Sequence, residues 1–193
     1  MGNTVLYMSM SLDGFIAGPN VTDENGLGDG GERLHEWLFP SEGGVNTRIV
    51  HEFMSTGAVI AGRGTFEPAE GWNGDHHNGV PIWVLSRHPR PDWARGMSAV
   101  HYTNDIEEAF RDARSAAGVQ DVLVHGAATA QRAIAADLLD EIEIHLIPVL
   151  LGDGRRLFEQ LGTQHRELDR LAVRTGEGGV THLRYRFLSR STR

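Results

Sequence analysis

The sequence predicts an α/β protein, with a mainly parallel sheet covered on both faces and an antiparallel hairpin at the C-terminus. Three observations lead there. Short runs rich in Val, Ile and Leu alternate with stretches of helical spacing, most of those runs end in small or Gly-rich turns, and Leu168 to Arg174 and Thr181 to Leu188 flank Gly176 to Gly179 as hairpin strands do. No repeat, low-complexity tract or linker interrupts the pattern, so one domain over residues 1–193 is expected.

Thr4 to Ser11 alternates and is rich in Val, Leu, Tyr and Met, which predicts a first strand ending at the Asp13-Gly14 turn. Residues 19–31 are dominated by Gly, Asn and Asp, and a loop that long in a small domain is expected to cover a site. Glu32 to Phe39 reads as a short helix with Leu34, Trp37 and Leu38 on its apolar face, stopped by Pro40. Asn46 to Ser55 reads as a second helix, burying Ile49, Val50, Phe53 and Met54 and stopped by Gly57. The buried strand Ala58 to Ala61 runs into Gly62-Arg63-Gly64-Thr65, and residues 68–81 return to loop. Val80 to Ser86 and Ala99 to Tyr102 are further strands. Ile106 to Ala117 is a helix with Asn104 or Asp105 as N-cap and Gly118 as its stop. Val122 to His125 then meets Gly126-Ala127-Ala128-Thr129 and an Ala-rich helix, and Glu141 to Leu151 is a long strand ending at Gly152-Asp153-Gly154.

Composition narrows the partners. A net charge of -8 argues against a general nucleic-acid binder, which needs a basic surface to neutralise phosphates. The absence of cysteine removes disulfides, thiolate nucleophiles and Cys-based zinc sites, and it fits a reducing cytoplasm. No basic stretch leads into a cleavable apolar segment and no apolar run is long enough to span a bilayer, so a cytoplasmic protein with no membrane partner is expected.

Three strand ends share a chemistry. Gly62-Arg63-Gly64-Thr65, Ser86-Arg87 and Gly126-Ala127-Ala128-Thr129 each combine small residues or hydroxyls with close backbone approach, and two carry an Arg. Together they suit a diphosphate and an additional phosphate monoester. A plain turn explains any one of these glycines on its own.

Four motifs in order sharpen this reading. Ser11-Leu12-Asp13-Gly14-Phe15-Ile16-Ala17-Gly18, Gly62-Arg63-Gly64-Thr65-Phe66-Glu67, Trp83-Val84-Leu85-Ser86-Arg87, and Leu138-Leu139-Asp140-Glu141-Ile142 with Ile147-Pro148-Val149-Leu150-Leu151-Gly152-Asp153-Gly154 resemble the dihydrofolate-reductase-like family. Within it, they resemble the branch related to the reductase domain of bacterial riboflavin biosynthesis. The resemblance implies a three-layer α/β fold, a homodimer, NADPH as cofactor, and hydride transfer to a C=N or carbonyl group on a small pterin-, pyrimidine- or flavin-like heterocycle. By the same resemblance, Gly62, Arg63, Gly64 and Thr65 touch cofactor phosphates, Ser86 and Arg87 read the 2′-phosphate end, and Gly126-Ala127 with Ala128 and Thr129 carries the pyrophosphate. Ala127 stands where the family has a second Gly.

Hydride transfer needs aligned rings, excluded water and a proton source. Folate-reducing relatives hold a carboxylate where this chain has Asn46, so dihydrofolate is not the expected substrate. The resemblance places Asp13 beside the substrate and His145 at the substrate end of the cleft, and these are the catalytic candidates, although an Asp-Gly turn and a core histidine are the plain alternatives. His51 and Glu52 rank below them. Gly26-Leu27-Gly28-Asp29-Gly30-Gly31 satisfies G-x-G-x-x-G but follows no strand, and Asp29 would repel a diphosphate. Asp75-His76-His77 reads as an exposed loop rather than a metal site, and Trp37 and Trp72 as core. No metal is expected. The competing functional class is a non-catalytic nucleotide-binding or regulatory protein that kept the fold, motivated by Asn46.

Overall fold

The computed structural model describes residues 1–22, 24–39, 43–162 and 165–188. Its strands are β1 (Thr4–Ser11), β2 (Phe15–Ala17), β3 (Ala58–Gly62), β4 (Ile82–Leu85), β5 (Val100–Thr103), β6 (Val122–His125), β7 (Glu141–Ile147), β8 (Arg155–Arg156), β9 (Leu168–Thr175) and β10 (Thr181–Phe187). The helices are α1 (Val45–Met54), α2 (Arg63–Phe66), α3 (Ile106–Ala117) and α4 (Ala127–Ala135). Eight strands form one sheet in the order β5-β4-β3-β6-β1-β7-β10-β9, while β2 and β8 pair separately. From β5 to β7 all neighbours are parallel, and β10 and β9 are antiparallel. The expected α/β architecture with its terminal hairpin is the one observed.

Alternation along β1 divides the core into two layers. Leu6 and Met8 pack with α3 and α4, through Ala109, Phe110, Ala130 and Ile134. Tyr7 points the other way and packs with Trp37, Ile49, Val59 and Leu123 beneath α1. Each buried aliphatic side chain contributes roughly 1.5–3 kcal/mol, so the two layers supply most of the driving force for folding.

Helix ends follow local chemistry where local chemistry is available. The Asp105 carboxylate accepts from the Glu107 and Glu108 amides at 2.9 and 3.1 Å, and Gly118 ends α3 at φ 63. For α1 the cap comes from far away: Glu177, in the turn between β9 and β10, accepts from the Val45 and Asn46 amides at 2.9 and 3.0 Å. Those contacts hold the Glu177 carboxyl below its ordinary range.

Two expected elements differ. In place of one helix over residues 32–39 there are two 3₁₀ turns, Gly31–Leu34 and Glu36–Leu38, separated by His35 at φ -113 and still burying Leu34 and Trp37. Pro40, their expected stop, lies outside the described residues. The long strand predicted from Glu141 ends at Ile147, because Pro148 has no N–H for the ladder and the Val149 amide turns back to the Ile147 carbonyl at 2.8 Å.

Candidate active site

Sheet order sets the row of strand ends. β4, β3 and β6 are adjacent and parallel, so the turns that follow them, at Ser86-Arg87, Gly62 to Thr65 and Gly126 to Thr129, lie side by side at one edge. Two of the turns interlock. A Cβ on Gly62 would sit 2.9 Å from the Thr129 hydroxyl, and one on Gly126 would collide with the Thr65 hydroxyl. Gly126 itself has φ 91, which a side chain would strain. Ala127 is not among the residues with positive φ; it begins α4 in ordinary helical geometry, so the departure from a second Gly costs the backbone nothing.

The Gly126 carbonyl accepts the first α4 bond, from Ala130 at 2.9 Å, and the Gly126 N–H donates to Met8 Sδ at 3.2 Å. The Ala127, Ala128 and Thr129 amides precede the first helical turn and point out of its N-terminus. Around them, Arg63 is paired with Glu67 at 2.9 Å. Ser86 Oγ donates to the His88 carbonyl and accepts from the His88 amide, and Arg87 is exposed.

Beside this edge opens a cavity of about 460 Å³. Its floor is formed by Tyr7, Ser9 and His125, and one wall by His35 and Trp37. Phe53, Trp72 and His76 make another wall, and Gly64, Thr65 and Arg155 form the border with the turns that follow β3 and β6. Arg155 Nη1 donates to the Gly64 carbonyl at 2.9 Å. Glu24 and Glu32 reach the cavity from the long N-terminal loop and the first 3₁₀ turn, so that loop lines the cavity.

Trp72 is delivered by strained backbone. Residues 70–74 all have positive φ, with Glu70 at 50, Trp72 at 50 and Asn73 at 53, which makes one left-handed turn. Left-handed geometry costs roughly 1–2 kcal/mol per non-Gly residue. It sets the indole edge-on to His76 at 4.4 Å and to Phe66 at 5.5 Å.

Three residues that line the cavity each carry a buried polar atom with no partner among the described residues: Tyr7 Oη, His35 Nδ1 and His125 Nε2. Unpaired buried groups are costly unless a ligand or water completes them. Burial raises the Tyr7 phenol well above its usual range, reinforced by Glu143 and Glu52, so it stays an O–H donor. Burial also holds His125 down to about 4 and His76 down to about 2, so both rings are neutral near pH 7.

The two catalytic candidates sit differently. His145 is fully buried behind the cavity, its ring 4.2 Å from Tyr7 and 4.3 Å from Trp37. Strand register puts it opposite His182, and the two share an Nδ1 to Nδ1 hydrogen bond of 2.7 Å. His182 Nε2 continues to Asn46 Oδ1 at 3.0 Å. Asn46 Nδ2 donates to the Glu177 carbonyl at 3.2 Å, so Oδ1 is the acceptor and His182 Nε2 the donor. With His182 Nδ1 therefore bare, His145 Nδ1 carries the proton and His145 Nε2 is a buried lone pair without a partner. Asp13 is occupied by structure: its carboxylate accepts from the Ser11 hydroxyl at 2.6 Å and from the Leu151 and Gly152 amides at 3.1 and 2.7 Å. The Ser11 bond is the main cause that brings its pKa down to about 2.

Sequence reading did not single out Tyr7, His35, His125 and Arg155 as cavity residues; Trp37 lies in the core as expected, with Trp72 packed against the same cluster, and both also line the cavity. His76 and His77 are not an exposed loop: His77 is 3% exposed and bonded to Thr56. No group of three or more metal-ligating side chains occurs among the described residues. Glu52 pairs with Arg174 at 2.9 Å, and His51 is exposed. No helix among the described residues is long and apolar enough to cross a membrane.

Comparison with known proteins fits this geometry. A family model described as "RibD C-terminal domain" matches residues 4–182. Among solved structures, a protein of Shewanella sp. PV-4 described as a candidate riboflavin biosynthesis protein is 23% identical, with a TM-score of 0.73 over 97% of this chain and 99% of its own. Acinetobacter baumannii RibD is 16% identical, with a TM-score of 0.66, covering 98% of this chain and 59% of the longer RibD chain. A pyrimidine reductase-like protein from Corynebacterium diphtheriae is 11% identical, with a TM-score of 0.63 over 97% of this chain and 93% of that one. No curated protein matches in sequence.

Proposed function

Because the chain belongs to the RibD C-terminal domain family, whose members are reductase domains of the riboflavin pathway, we propose that it is an NADPH-dependent reductase of a small pterin-, pyrimidine- or flavin-like heterocycle. Reductases of this family generally use a nicotinamide cofactor. The observation that carries the choice of site is the pair of interlocked turns, Gly62 against Thr129 and Gly126 against Thr65, bordering a cavity three of whose lining residues carry buried polar atoms without partners.

The residues present fit such a cofactor. The close packing of Gly126 on Thr65 draws the turns after β3 and β6 together, and the amides of Ala127, Ala128 and Thr129 beside them have no partner within the helix. Gly62, Arg63, Gly64 and Thr65 would hold the diphosphate from the neighbouring strand, with Ser86 and Arg87 at the 2′-phosphate end. When bound, the cofactor supplies the hydride to a C=N or carbonyl carbon. The chain supplies the rest. Trp37 and Trp72 form flat walls, the Phe53 side excludes water, and the buried Tyr7 ring supports the cavity from below.

For the two catalytic candidates the geometry supports positioning. Asp13 ties the end of β1 to residues 151–152 and so shapes the rim beside Arg155 and Arg156, whose Nη1 donates to the Asp13 carbonyl at 3.0 Å. His145 buttresses Tyr7 and Trp37 from behind. The reading carries with it one domain throughout, a cytoplasmic setting consistent with the lack of cysteine, and a homodimer, for which exposed Leu171 and Val173 on edge strand β9 offer apolar surface. Light scattering that gives only a 21.2 kDa species would remove the dimer. Steady-state oxidation of NADPH with pterin, pyrimidine and flavin acceptors tests the activity: turnover with any of them supports it, while tight cofactor binding without turnover points to a non-catalytic binder.

A further inference from the structure

Two adjacent arginines near the cavity rim are put to different uses. Arg155 and Arg156 form β8, which pairs with β2, Ala17 opposite Arg155 and Phe15 opposite Arg156. Close backbone contact fixes this pairing: Gly154 has φ 130, and a Cβ there would collide with the Ala17 carbonyl oxygen. Successive residues of a strand point to opposite sides. Arg156 places its guanidinium over the Phe15 ring at 4.3 Å and donates from Nη1 to the Asp13 carbonyl at 3.0 Å. Arg155 crosses instead to α2.

There its guanidinium lies against Gly64. Nη1 donates to the Gly64 carbonyl at 2.9 Å, and a Cβ on Gly64 would come within 3.3 Å of Nη1 and 3.9 Å of Cζ and Nη2, so the missing side chain is what lets the group settle on the backbone. No carboxylate pairs with Arg155 among the described residues, whereas Arg63, on the same short helix as Gly64, is paired with Glu67 at 2.9 Å. Arg155 is exposed, and its other N–H groups remain available with the full positive charge.

The position of this cation is specific. Arg155 lines the cavity together with Gly64 and Thr65, and Thr65 is the residue whose hydroxyl packs on Gly126. The guanidinium therefore stands where the cavity meets the interlocked turns. The other charged residues lining the cavity, among those described, are the carboxylates of Glu24 and Glu32. A dinucleotide with its reacting ring in the cavity and its diphosphate on the turns crosses this border with the ribose and phosphate next to that ring. Amides at a helix N-terminus offer such a phosphate only partial charge, while a guanidinium offers a whole one and can donate to two oxygens at once.

Resting on the reading of this site as that of a nicotinamide-dependent reductase, we propose that Arg155 is a cofactor-binding residue that grips the phosphate on the nicotinamide side of the diphosphate, with Gly64 making room for it. Arg87, at the end of β4, and Arg155, at the cavity, then address opposite ends of one cofactor, the first its 2′-phosphate and the second the phosphate nearest the reacting ring.

The test is calorimetric titration of the full native chain and of Arg155→Gln with NADPH and with adenosine 2′,5′-bisphosphate, which keeps the adenosine end and lacks the nicotinamide-side phosphate. Arg155→Gln should weaken NADPH by about tenfold or more, the loss of one charge-assisted pair, and change adenosine 2′,5′-bisphosphate by less than about twofold. Circular dichroism should be unchanged, since the side chain is exposed. Should that variant fail to fold, Gly64→Ala, which displaces the guanidinium and keeps its charge, takes its place with the same expected split. NADPH bound as tightly by the variant as by the native chain, or equal losses of both probes, overturns the proposal. So does a loss confined to riboflavin 5′-phosphate, titrated beside riboflavin, which would give the anion to the substrate. A native chain that binds neither NADPH nor the bisphosphate removes the reductase reading and the proposal with it; a native chain that binds NADPH, with Arg155→Gln unaffected, removes the proposal alone.

Discussion

The hydroxyl of Thr65 occupies the space that a side chain on Gly126 would need, and Gly126 holds φ 91 to leave it there. This contact joins the turn after β3 to the turn after β6, and the same two turns meet again at Gly62 and Thr129. Gly126→Ala should therefore fail twice, through backbone strain of roughly 1–2 kcal/mol and through collision with Thr65. Thermal denaturation should fall by about 2–8 °C for a chain of this size, and NADPH affinity should fall at least tenfold. Adding Thr65→Ala should recover part of the melting temperature and little of the affinity. Full affinity in the Gly126→Ala variant would show that these interlocked turns hold no cofactor.

Asn46 sets the proton positions of two histidines it precedes by a hundred residues or so. Asn46→Asp should replace a neutral acceptor by a carboxylate 3.0 Å from His182 Nε2 and raise that ring from about 4 toward or above its ordinary value. Once His182 Nδ1 carries a proton it must donate to His145, whose own proton moves to Nε2. Nitrogen-15 spectra of the imidazoles report this directly: Nδ1–H for His145 in the native chain, Nε2–H in the variant. An unchanged His145 tautomer would break the proposed chain.

How much of this was legible in the residues differs by scale. The alternation of Thr4 to Ser11 and the Asp105 and Gly118 caps of α3 are local signals, and the fold follows from them together with the strand-helix alternation. The cavity is not local. Tyr7, Trp37, Phe53 and His125 come from four separate elements, and only the fold, with β1 between β6 and β7, brings them to one cavity. The left-handed turn at 70–74 carries Gly71 and Gly74 as its sole hint, and the capping of α1 by Glu177 spans more than a hundred residues. Asp13 was found from its motif, but its three acceptor contacts to residues 11, 151 and 152 exist only in the fold.

Acid should destabilise the protein, beginning just below neutrality. His125 and His182 are held near 4 by burial, below their ordinary 6.5, so between about pH 6.5 and 4 the unfolded chain binds protons that the native one does not. Stability is therefore full above 6.5 and lost as pH falls toward 4, with His35, His76, His77 and His145 shifted in the same direction. Glu143 opposes this. Burial pushes it up to about 7 from 4.5, so its contribution is present below 4.5 and lost as pH rises through 7. One carboxyl against several imidazoles leaves the net slope positive. Urea midpoints between pH 4.5 and 7.5 should rise with pH, and more steeply in Glu143→Gln; a flat profile would contradict the buried, neutral histidines.

Asp13→Ala removes the acceptor shared by Ser11, Leu151 and Gly152. A positioning role predicts a lower melting temperature and a raised KM with kcat reduced less than tenfold. A proton-donor role predicts loss of kcat of a hundredfold or more with KM little changed.

Calorimetric titration of the native chain and of Arg87→Ala with NADPH and NADH tests the central claim most directly. The account predicts one NADPH site per chain, weaker binding of NADH, and a loss on Arg87→Ala that falls on NADPH and spares NADH. Absence of binding by either cofactor at millimolar concentration would contradict it.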